Sequence, residues 1–389
     1  MKDLTDFIPS DIGEFQLIDS VRVQVSTHYL VKSRVVYSIR VPLLTSRFLG
    51  NNSLSGPLPS HKSENLLKGS YVHTYCCLTV YCRDLSCNYL SGTFLSWLTS
   101  NLQLNLVAND FTFDLSSSSI FPGLNCLQRN FQCNRNTPCY ANFAIKCRGE
   151  EMTAENVVYE AENSSLGAAS FNITSTEKWA VSNVGLFSKS ENPTYVGTTH
   201  AQVIGTRAPE LYQTSRLSPG SLRYYGLGLE NLLYNLSLLF AETAIEDLST
   251  QRWQSLRRRV FDIYIQGTPQ LKDFDISKET DGVNRPVTMN FNANASENHL
   301  DIHLFWAGQG TCCIPEQGDF GPSISALRVV PDFISAVSGM PPNTPRKKNQ
   351  TQMIVGITVP LRIVSLILIF IAFYMKRKKD KMMRKFYKR

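Results

Sequence analysis

The sequence predicts a mainly β protein, in which a β-sandwich follows a short, interrupted repeat solenoid and precedes one transmembrane helix. Three observations support this prediction: asparagine-centred repeats before residue 113, apolar strands with strict alternation between residues 234 and 276, and an apolar run near the C-terminus. Alternation with a period of two is typical of strands that bury one face. At 389 residues, 43% of them hydrophobic, the chain can form two or three domains with cores of their own.

The first 134 residues contain fragments of a leucine-rich repeat. In each fragment, apolar residues lead to an asparagine of the type that caps the turn of a solenoid coil. The fragments are FLGNNSLSGPLP at 48–59, DLSCNYLSGTF at 84–94 and LNLVANDFTF at 104–113. We therefore expect a partial repeat region over residues 1–134.

The spacing of the asparagines indicates that this region is disturbed. Asn88 and Asn109 are 21 residues apart, which fits one repeat of roughly 20 to 29 residues, but Asn52 and Asn88 are 36 residues apart. The stretches 26–41 and 69–82 match no repeat position. We interpret both as foreign sequence that interrupts the solenoid.

Some of the ten cysteines predict disulfides, and none predicts a metal site. Cys126 and Cys133 follow the last repeat as a close pair, which is typical of a disulfide-bonded cap over the open end of the coils. Cys147 and either Cys312 or Cys313 are candidates for a bond between the first strand and the last loop of the sandwich. The earlier cysteines lack the spacing of paired zinc ligands.

Residues 140–330 have the pattern of a single β-sandwich. Short strands of alternating polarity are separated there by Gly, Pro and Asn. In the string YNLSLLFAE, the apolar residues from Tyr234 to Phe240 share one face. The strings RVFDIYIQG and LKDFDI then predict a hairpin with its turn at Gly267 to Pro269, and HLDIHLFWAG alternates again.

Loops at one end of a sandwich are the expected recognition sites, because a rigid scaffold holds them while their composition varies. Our candidate ligand-binding residues are Trp253, Arg257 and Arg258 in the loop 246–258, and Trp306 at the start of the loop 306–320. Tryptophan beside arginine suits contact with an acidic partner or a glycan. The alternative is a solvated charge run beside a packing tryptophan.

Two polar clusters within the strands have a simpler interpretation than catalysis. The aspartates between residues 262 and 275 are expected to form hydrogen bonds within the hairpin, rather than a hydrolytic carboxylate pair. His299, Asp301 and His303 share the solvent face of a strand, and such a face needs no metal. We therefore expect no catalytic residues, no metal and no cofactor.

Glycosylation sequons and the cysteines together predict an oxidising, glycosylating compartment. All the sequons precede the apolar run, and Asn235 lies on the solvent face of its predicted strand. The candidate glycosylation sites are Asn51, Asn163, Asn172, Asn235, Asn294 and Asn349.

The C-terminal part predicts a stalk, a membrane span and a basic tail. Residues 331–352 are rich in Pro, Ser and Asn, as in an extracellular stalk. Residues 353–375 are mostly apolar and long enough for a transmembrane helix, although Pro360 and Arg362 lie within them. The tail 376–389 holds nine Lys or Arg, so the positive-inside rule places it in the cytoplasm. We therefore expect a single-pass type I protein of the plasma membrane, with its N-terminus outside.

The charge balance gives little support to a nucleic-acid partner. The net charge is +7, but the tail contributes nine basic residues and one Asp to it. The rest of the chain holds 30 basic and 31 acidic residues and is essentially neutral.

The N-terminal residues do not match the secretory route that this topology needs. MKDLTDFIPSDIGEF contains acidic residues and no apolar core, unlike a signal peptide. We expect either that the true N-terminus is missing from this sequence or that the protein enters the membrane by another route.

Several strings together resemble the malectin domain of plant leucine-rich-repeat receptor-like kinases. They are YEAENSSLG, WAVSNVGLF, LYQTSRLSPGSLRYYGLGLEN, FAE, RVFDIYIQG, LKDFDISKE and HLFWAGQGTCCIP. The resemblance covers about residues 49–375 apart from 69–82. It implies a malectin-like β-sandwich in an extracellular region, which one membrane span joins to a cytoplasmic Ser/Thr kinase that is missing from these 389 residues.

The resemblance also bears on the ligand. Animal malectin, to which the domain is similar, binds a glucose disaccharide through aromatic residues and an Asp. Two of these aromatic residues directly follow the FAE string, whereas here Thr243, Ala244 and Ile245 follow it. We therefore expect a different carbohydrate, or a peptide, to bind at other loops.

The functional hypothesis from the sequence is a membrane-anchored extracellular recognition module of a truncated receptor-like kinase, without enzymatic activity. Its expected partners are the membrane, a carbohydrate or peptide ligand, and receptor-kinase co-receptors. Two alternatives stay open: an incomplete sequence of an active receptor-like Ser/Thr kinase, and a non-functional degraded copy. A Gly-rich loop with HRD and DFG strings downstream of Arg389 would favour the kinase.

Overall fold

The protein divides into two units, Met1–Met340 and Pro341–Arg389. The computed structural model describes residues 20–22, 46–48, 50–51, 55–58, 82–93, 103–113, 121–129, 131, 138–185, 187, 194–245, 258–306, 321–337 and 374–379. Several predicted features lie outside these ranges: Trp253, Arg257, Cys133, Cys312, Cys313, Asn349, residues 26–41 and 69–81, and residues 353–373 of the span.

Two parallel ladders of short strands form the N-terminal part of the first unit. The strands are β1 (Ser20–Arg22), β2 (Ser46–Phe48), β3 (Ser55–Pro57), β4 (Cys82–Asp84), β5 (Tyr89–Thr93), β6 (Gln103–Asn105) and β7 (Asp110–Thr112). One ladder has the order β1-β2-β4-β6, and the other has the order β3-β5-β7. Successive coils of the chain, such as β4 with β5 and β6 with β7, therefore give one strand to each ladder.

Buried asparagines hold the turns between the two ladders. The side-chain nitrogen of Asn88 donates to the carbonyls of Leu85 and Ser86 at 3.0 and 3.1 Å. That of Asn109 donates to the carbonyl of Leu106 at 3.0 Å and to that of Leu85, in the preceding coil, at 2.9 Å. Both asparagines are fully buried. These contacts are the ones expected of an asparagine that caps a coil turn and ties it to its neighbour.

The strands of the sandwich begin at residue 143. They are β8 (Phe143–Lys146), β9 (Met152–Ala154), β10 (Val157–Ala161), β11 (Ala169–Ile173), β12 (Trp179–Val184), β13 (Val196–Thr198), β14 (Thr214–Leu217), β15 (Ser221–Leu227), β16 (Leu233–Ala241), β17 (Val260–Ile265), β18 (Thr268–Asp275), β19 (Pro286–Asn294), β20 (His299–Phe305), β21 (Ser323–Ile324) and β22 (Ala326–Pro331). A 3-10 helix covers Pro209–Tyr212, and helix α1 covers Ile276–Thr280.

These strands form two six-stranded sheets and one small sheet. The first sheet has the order β19-β16-β22-β8-β10-β9, and the second has the order β11-β12-β15-β20-β17-β18. The small sheet has the order β13-β14-β21. The prediction of a mainly β protein is confirmed.

The two large sheets bury the side chains that the alternation predicts. Leu236 and Phe240 of β16, Ile263 of β17 and Leu304 of β20 are at most 1% exposed and belong to one core cluster. Full burial of such a side chain contributes about 1.5 to 3 kcal/mol to folding. The alternation in sequence therefore fixes which face of each strand points inward.

The predicted hairpin forms, but its turn is earlier than predicted. β17 and β18 pair antiparallel, with Ile265 opposite Thr268. The turn is Gln266–Gly267, whose φ angles of 50° and 71° are those of a type I′ turn. Pro269 belongs to β18, which is an edge strand and so tolerates the missing backbone N–H.

The repeat coils pack on the outer face of the second sheet. Buried leucines of the coils share a core cluster with Tyr225 of β15. The side-chain nitrogen of Asn105 donates to Ser182 Oγ at 2.7 Å, and the ring of Phe131 stacks on that of His299 with centroids 4.2 Å apart. The coils and the sandwich are thus joined by apolar packing and by a directed hydrogen bond.

Lys146, at the end of β8, carries a buried ammonium. Its side chain is 3% exposed, and Nζ donates to the carbonyl and the hydroxyl of Thr214 at 2.8 and 2.6 Å and to the carbonyl of Ser325 at 3.3 Å. Burial lowers the pKa of Lys146 from 10.5 to about 8, although Cys147 and Glu162 act in the opposite direction.

We expect this group to make the protein more stable as the pH rises from 8 to 10.5. Over that range the unfolded chain still binds the proton that folded Lys146 has released, so the free energy of unfolding increases with pH. The gain is roughly 1 to 2 kcal/mol up to about pH 9.5. Urea unfolding of the wild type and of Lys146→Met at several pH values measures it. Equal pH slopes for the two proteins would contradict the prediction.

In the second unit, the structure describes an exposed helix at residues 374–379. Within the described part of the chain, no helix combines the length and apolar character that crossing a membrane requires. The predicted span 353–375 lies outside that part up to residue 373 and stays a prediction.

Candidate recognition site at the loop end of the sandwich

The side chain of Arg259 connects three chain segments at one end of the sandwich. Arg259 follows segment 246–257, Glu242 lies shortly before that segment, and Gly321 follows segment 307–320. The Nε of Arg259 donates to Glu242 Oε2 at 2.7 Å, and its Nη1 donates to the carbonyl of Gly321 at 2.9 Å. Both charged side chains are 1% exposed. The Arg259–Glu242 ion pair therefore fixes both ends of segment 246–257, and the hydrogen bond of Arg259 to Gly321 fixes the C-terminal end of segment 307–320.

The surroundings of this ion pair satisfy its polar atoms. Glu242 Oε1 accepts from the backbone N–H of Ala244 at 3.0 Å. Buried charges are tolerated when they are paired and their remaining atoms are hydrogen-bonded. Gly321 has a φ of 75°, and a Cβ there would lie 2.1 Å from the carbonyl oxygen of Ser218. Only glycine therefore brings this carbonyl close to Arg259 without displacing the backbone.

Two of the predicted ligand-binding residues lie at this end. Arg258 precedes β17 and Trp306 follows β20, and these strands pair antiparallel. The side chain of Arg258 is 61% exposed, and its Nε and Nη2 donate to Asp275 Oδ2 at 2.9 and 2.8 Å. Trp306 is half-buried, and its backbone N–H donates to the carbonyl of Gly220 at 2.8 Å. Arg258 thus has an acidic partner within the chain, and Trp306 is anchored through its backbone.

The hairpin aspartates form hydrogen bonds within the hairpin, as predicted. Asp262 Oδ1 accepts from the backbone N–H of Asp273 at 2.9 Å, and Asp262 Oδ2 accepts from the Tyr264 hydroxyl at 3.2 Å. Asp275 caps α1 by accepting from the backbone N–H of Lys278 at 3.2 Å. The side chain of Asp262 is buried.

The polar face of β20 forms pairs with neighbouring residues. Asp301 Oδ2 accepts from Arg223 Nη1 at 2.7 Å, and His303 Nε2 lies 2.8 Å from Ser221 Oγ. His299 stacks on an aromatic ring of the repeat region, and burial lowers its pKa. Among the described residues, no group of three or more His, Cys, Asp or Glu is placed to hold a metal ion.

A second buried ion pair joins Glu162 to Arg216. The Nε and Nη2 of Arg216 donate to the two carboxylate oxygens of Glu162 at 2.8 and 2.5 Å, and the two side chains are 0 to 1% exposed. The carboxylate also accepts from the backbone N–H groups of Arg148 and Ser164, at 3.2 Å each. Arg216 Nη1 donates to the carbonyl of Tyr195 at 3.3 Å. This pair ties the end of β10 to β14.

Sequence reasoning missed both buried ion pairs, although it quoted all four residues. Glu162 is the second glutamate of YEAENSSLG, and Glu242 is the last residue of FAE. Arg216 lies in LYQTSRLSPGSLRYYGLGLEN. Arg259 is the first residue of the string RVFDIYIQG. A charged residue directly beside a buried strand was the available signal, because such a charge needs a partner.

The structure changes the prediction for the cysteines. Cys126 is disulfide-bonded, as predicted for a member of the cap pair. Cys147 is a free thiol, so the predicted bond to Cys312 or Cys313 is wrong for this residue. Its side chain is buried in the sandwich core, and this burial raises its pKa to about 12. The thiol therefore packs as a small apolar group.

The predicted glycosylation sites differ in exposure. Asn51, Asn163 and Asn294 are exposed, whereas Asn172 and Asn235 are half-buried. The side-chain nitrogen of Asn235 donates to an Asp332 carboxylate oxygen at 3.1 Å. The three exposed asparagines are therefore the most accessible of the described sites.

Comparison with known families decides the nature of the sandwich. Residues 141–327 match the family described as the malectin domain. The chain contains a malectin domain. The match begins just before β8 and ends within β22, so both large sheets and the Arg259 ion pair belong to the malectin domain.

The malectin domain and its N-terminal region resemble plant proteins. The chain is 46% identical over 301 residues to the probable LRR receptor-like serine/threonine-protein kinase At1g56140 of Arabidopsis thaliana, covering 77% of this chain and 29% of the relative. It is 44% identical over 283 residues to the probable kinase At1g56130 of the same plant, covering 72% and 27%. The predicted resemblance to malectin-containing receptor-like kinases is confirmed, and the chain spans under a third of these relatives.

Among solved structures, the ANXUR2 extracellular domain from Arabidopsis thaliana matches with a TM-score of 0.33 and 13% identity. The match covers 51% of each chain.

Proposed function

We propose that the chain is a membrane-anchored extracellular recognition module of a receptor-like kinase, which binds a carbohydrate or peptide ligand at the loop end of its malectin domain. The observation that supports it is the Arg259 ion pair. A buried clamp on the ends of segments 246–257 and 307–320 gives a recognition site a rigid base. The proposed location is the plasma membrane, with a single-pass type I topology.

The proposed organisation follows the sequence boundaries. The regions are a leucine-rich-repeat region with a cap at 1–134, the malectin-like domain at 140–330, a stalk at 331–352, a transmembrane helix at 353–375 and a basic cytoplasmic tail at 376–389. The stacked parallel strands and the buried Asn88 and Asn109 support the repeat assignment.

The proposed ligand contacts are Trp253, Arg257, Arg258 and Trp306. Arg258 is largely exposed at the base of segment 246–257, and Trp306 is half-buried at the base of segment 307–320. An indole face and a guanidinium suit a sugar ring or an acidic side chain, because one stacks and the other donates hydrogen bonds. Receptor-kinase co-receptors are the proposed protein partners.

A second candidate function is supported by the names of the relatives. Both are named serine/threonine-protein kinases, and this chain covers 29% and 27% of them. In this alternative the chain is the ligand-binding part of an active kinase. Ligand binding outside the cell then regulates the activity of the kinase domain in the cytoplasm.

Ligand binding can be tested with the full chain in detergent on an array of neutral and acidic oligosaccharides and extracellular peptides. We expect at least one probe to bind, and Trp253→Ala to weaken that binding about tenfold or more. Trp97→Ala, outside the malectin domain, is the matched control and should bind as the wild type does. Equal loss in both variants, or no bound probe, would contradict the proposal.

Topology can be tested in plant cells. A tag on the N-terminus of the full chain should react with a reagent that does not cross membranes, and a C-terminal tag should not. Labelling of the C-terminal tag alone would overturn the proposed orientation.

A further inference from the structure

A cleft of about 320 Å³ opens in the first sheet, where β8 and β10 separate. These strands run parallel, and they pair only through Ile145 with Glu160 and Lys146 with Ala161. Val157, Val158 and Tyr159, which precede these pairs, have ladder partners in β9, on the other edge of β10, and none in β8. The backbones therefore diverge towards the start of both strands and leave space between them.

The cleft is separate from the loop end that carries Arg259. It is lined by residues at and beside β8, β10 and β22 and by Lys178 just before β12, and it includes neither Arg259, Glu242 nor Gly321. A volume of 320 Å³ lies at the lower end of the range of small-molecule sites, roughly 300 to 1,000 Å³. Its size suits a ligand the size of one sugar or one amino-acid derivative, and it is too small for a folded partner.

One wall of the cleft carries a fixed and neutralised ion pair. Lys178 Nζ lies 2.5 Å from Glu160 Oε1, and Trp179 Nε1 donates to Glu160 Oε2 at 2.8 Å. Lys178 also lies over the ring of Tyr140, 5.7 Å from its centroid. Both oxygens of Glu160 therefore have donors, and the charge of Lys178 is balanced.

The lining of the cleft also contains a cation without such a balance. Arg328, in β22, is half-buried and lines the cleft. Neither an ion pair nor a hydrogen bond of its guanidinium is found among the described residues. With Glu160 and Lys178 balancing each other, Arg328 gives the lining a net charge of +1.

The rest of the lining suits a small organic acid. Val157 packs against the cluster that contains Ala326 of β22 and gives an apolar surface on the face of the sheet that carries Arg328. Asn142 and Asn156 are exposed at the rim and offer amide donors and acceptors. A few polar groups converging on an apolar floor is the usual composition of a small-ligand site.

We propose that this cleft binds a small monocarboxylate, with the guanidinium of Arg328 as the partner of the carboxylate. Arginine presents its N–H groups as a planar fork that matches a carboxylate in two parallel hydrogen bonds. The body of the ligand packs on Val157, and its hydroxyl or amide groups meet Asn142 and Asn156. A sugar acid and an N-acylated amino acid both have this chemistry.

The test uses the full chain in detergent and two pairs of probes, titrated at millimolar concentrations and followed by NMR of the ligand. The pairs are D-glucuronate with D-glucose, and N-acetylvaline with N-acetylvalinamide. We expect at least one acid to bind and its neutral counterpart to bind about tenfold more weakly or not at all. Binding of only one acid identifies the sugar or the amino-acid source.

Substitution of the arginine completes the test. Arg328→Gln should weaken binding of the acid about tenfold or more, whereas Arg207→Gln, an exposed arginine outside the cleft, should leave it unchanged. Unfolding in urea checks that Arg328→Gln stays folded, and Arg328→Lys should retain part of the affinity. No binding of either acid, binding equal to that of the neutral probes, or binding unchanged in Arg328→Gln would overturn the proposal. Because Trp253→Ala leaves the cleft intact, failure at the loop end and failure here are distinguishable.

Discussion

Replacing Arg216 with Met is expected to lower the free energy of unfolding by about 3 to 5 kcal/mol. The substitution leaves the carboxylate of Glu162 fully buried, with its two guanidinium hydrogen bonds removed. The backbone donors from Arg148 and Ser164 remain, but they do not neutralise the charge. Urea unfolding at neutral pH, followed by tryptophan fluorescence, measures the loss.

The double variant Glu162→Gln with Arg216→Met separates the lost attraction from the stranded charge. We expect it to be more stable than Arg216→Met alone, because the remaining group is then neutral. Arg207→Met, which removes an exposed arginine, should change the stability by less than about 0.5 kcal/mol. A double variant as unstable as the single one would show that packing, and not the unpaired charge, dominates.

Replacing Arg259 with Met is expected to have an effect of similar size, about 3 to 5 kcal/mol, with an additional consequence at the loop end. The substitution leaves Glu242 buried without its cation and frees the carbonyl of Gly321. Both contacts hold the bases of segments 246–257 and 307–320. We therefore expect faster cleavage within these segments in limited proteolysis, as well as a lower midpoint in urea.

The variant Arg259→Lys tests whether the geometry of the guanidinium, and not its charge alone, positions the two segments. A lysine keeps the positive charge beside Glu242, but it lacks the fork that reaches two acceptors in different directions. We expect this variant to retain more stability than Arg259→Met while its segments are still cleaved faster than in the wild type. Cleavage at the wild-type rate in both variants would mean that Arg259 does not position these segments.

The strands of the malectin domain were predictable because their signal is local. Leu236, Leu238 and Phe240 lie on one face of β16, and burial of that face needs no knowledge of the partner strand. The hairpin was predictable in the same way, except that its turn begins one residue earlier than predicted, at Gln266. Gln266 adopts a positive φ without being glycine, and composition alone favoured the later Gly-Thr-Pro string.

The ion pairs and the cleft were beyond sequence reasoning because they depend on distant chain segments. Glu162 and Arg216 meet through the small sheet, 54 residues apart, and no short pattern links them. The predicted disulfide of Cys147 is wrong for the same reason, because the position of its thiol in the core follows from the packing of distant strands. The cleft exists because β10 pairs with β8 at two positions only, and periodicity does not encode how far such a pairing extends.

Because the coils pack on the second sheet, their removal is expected to lower the solubility of the malectin domain. Strands β12 and β15 are covered on one side by the other sheet of the malectin domain and on their outer side by the coils, through Tyr225 and Ser182. Removing the coils would expose an apolar surface on a folded sheet, and such surfaces promote aggregation. The malectin domain is therefore expected to stay soluble at high concentration only together with the coils that precede it.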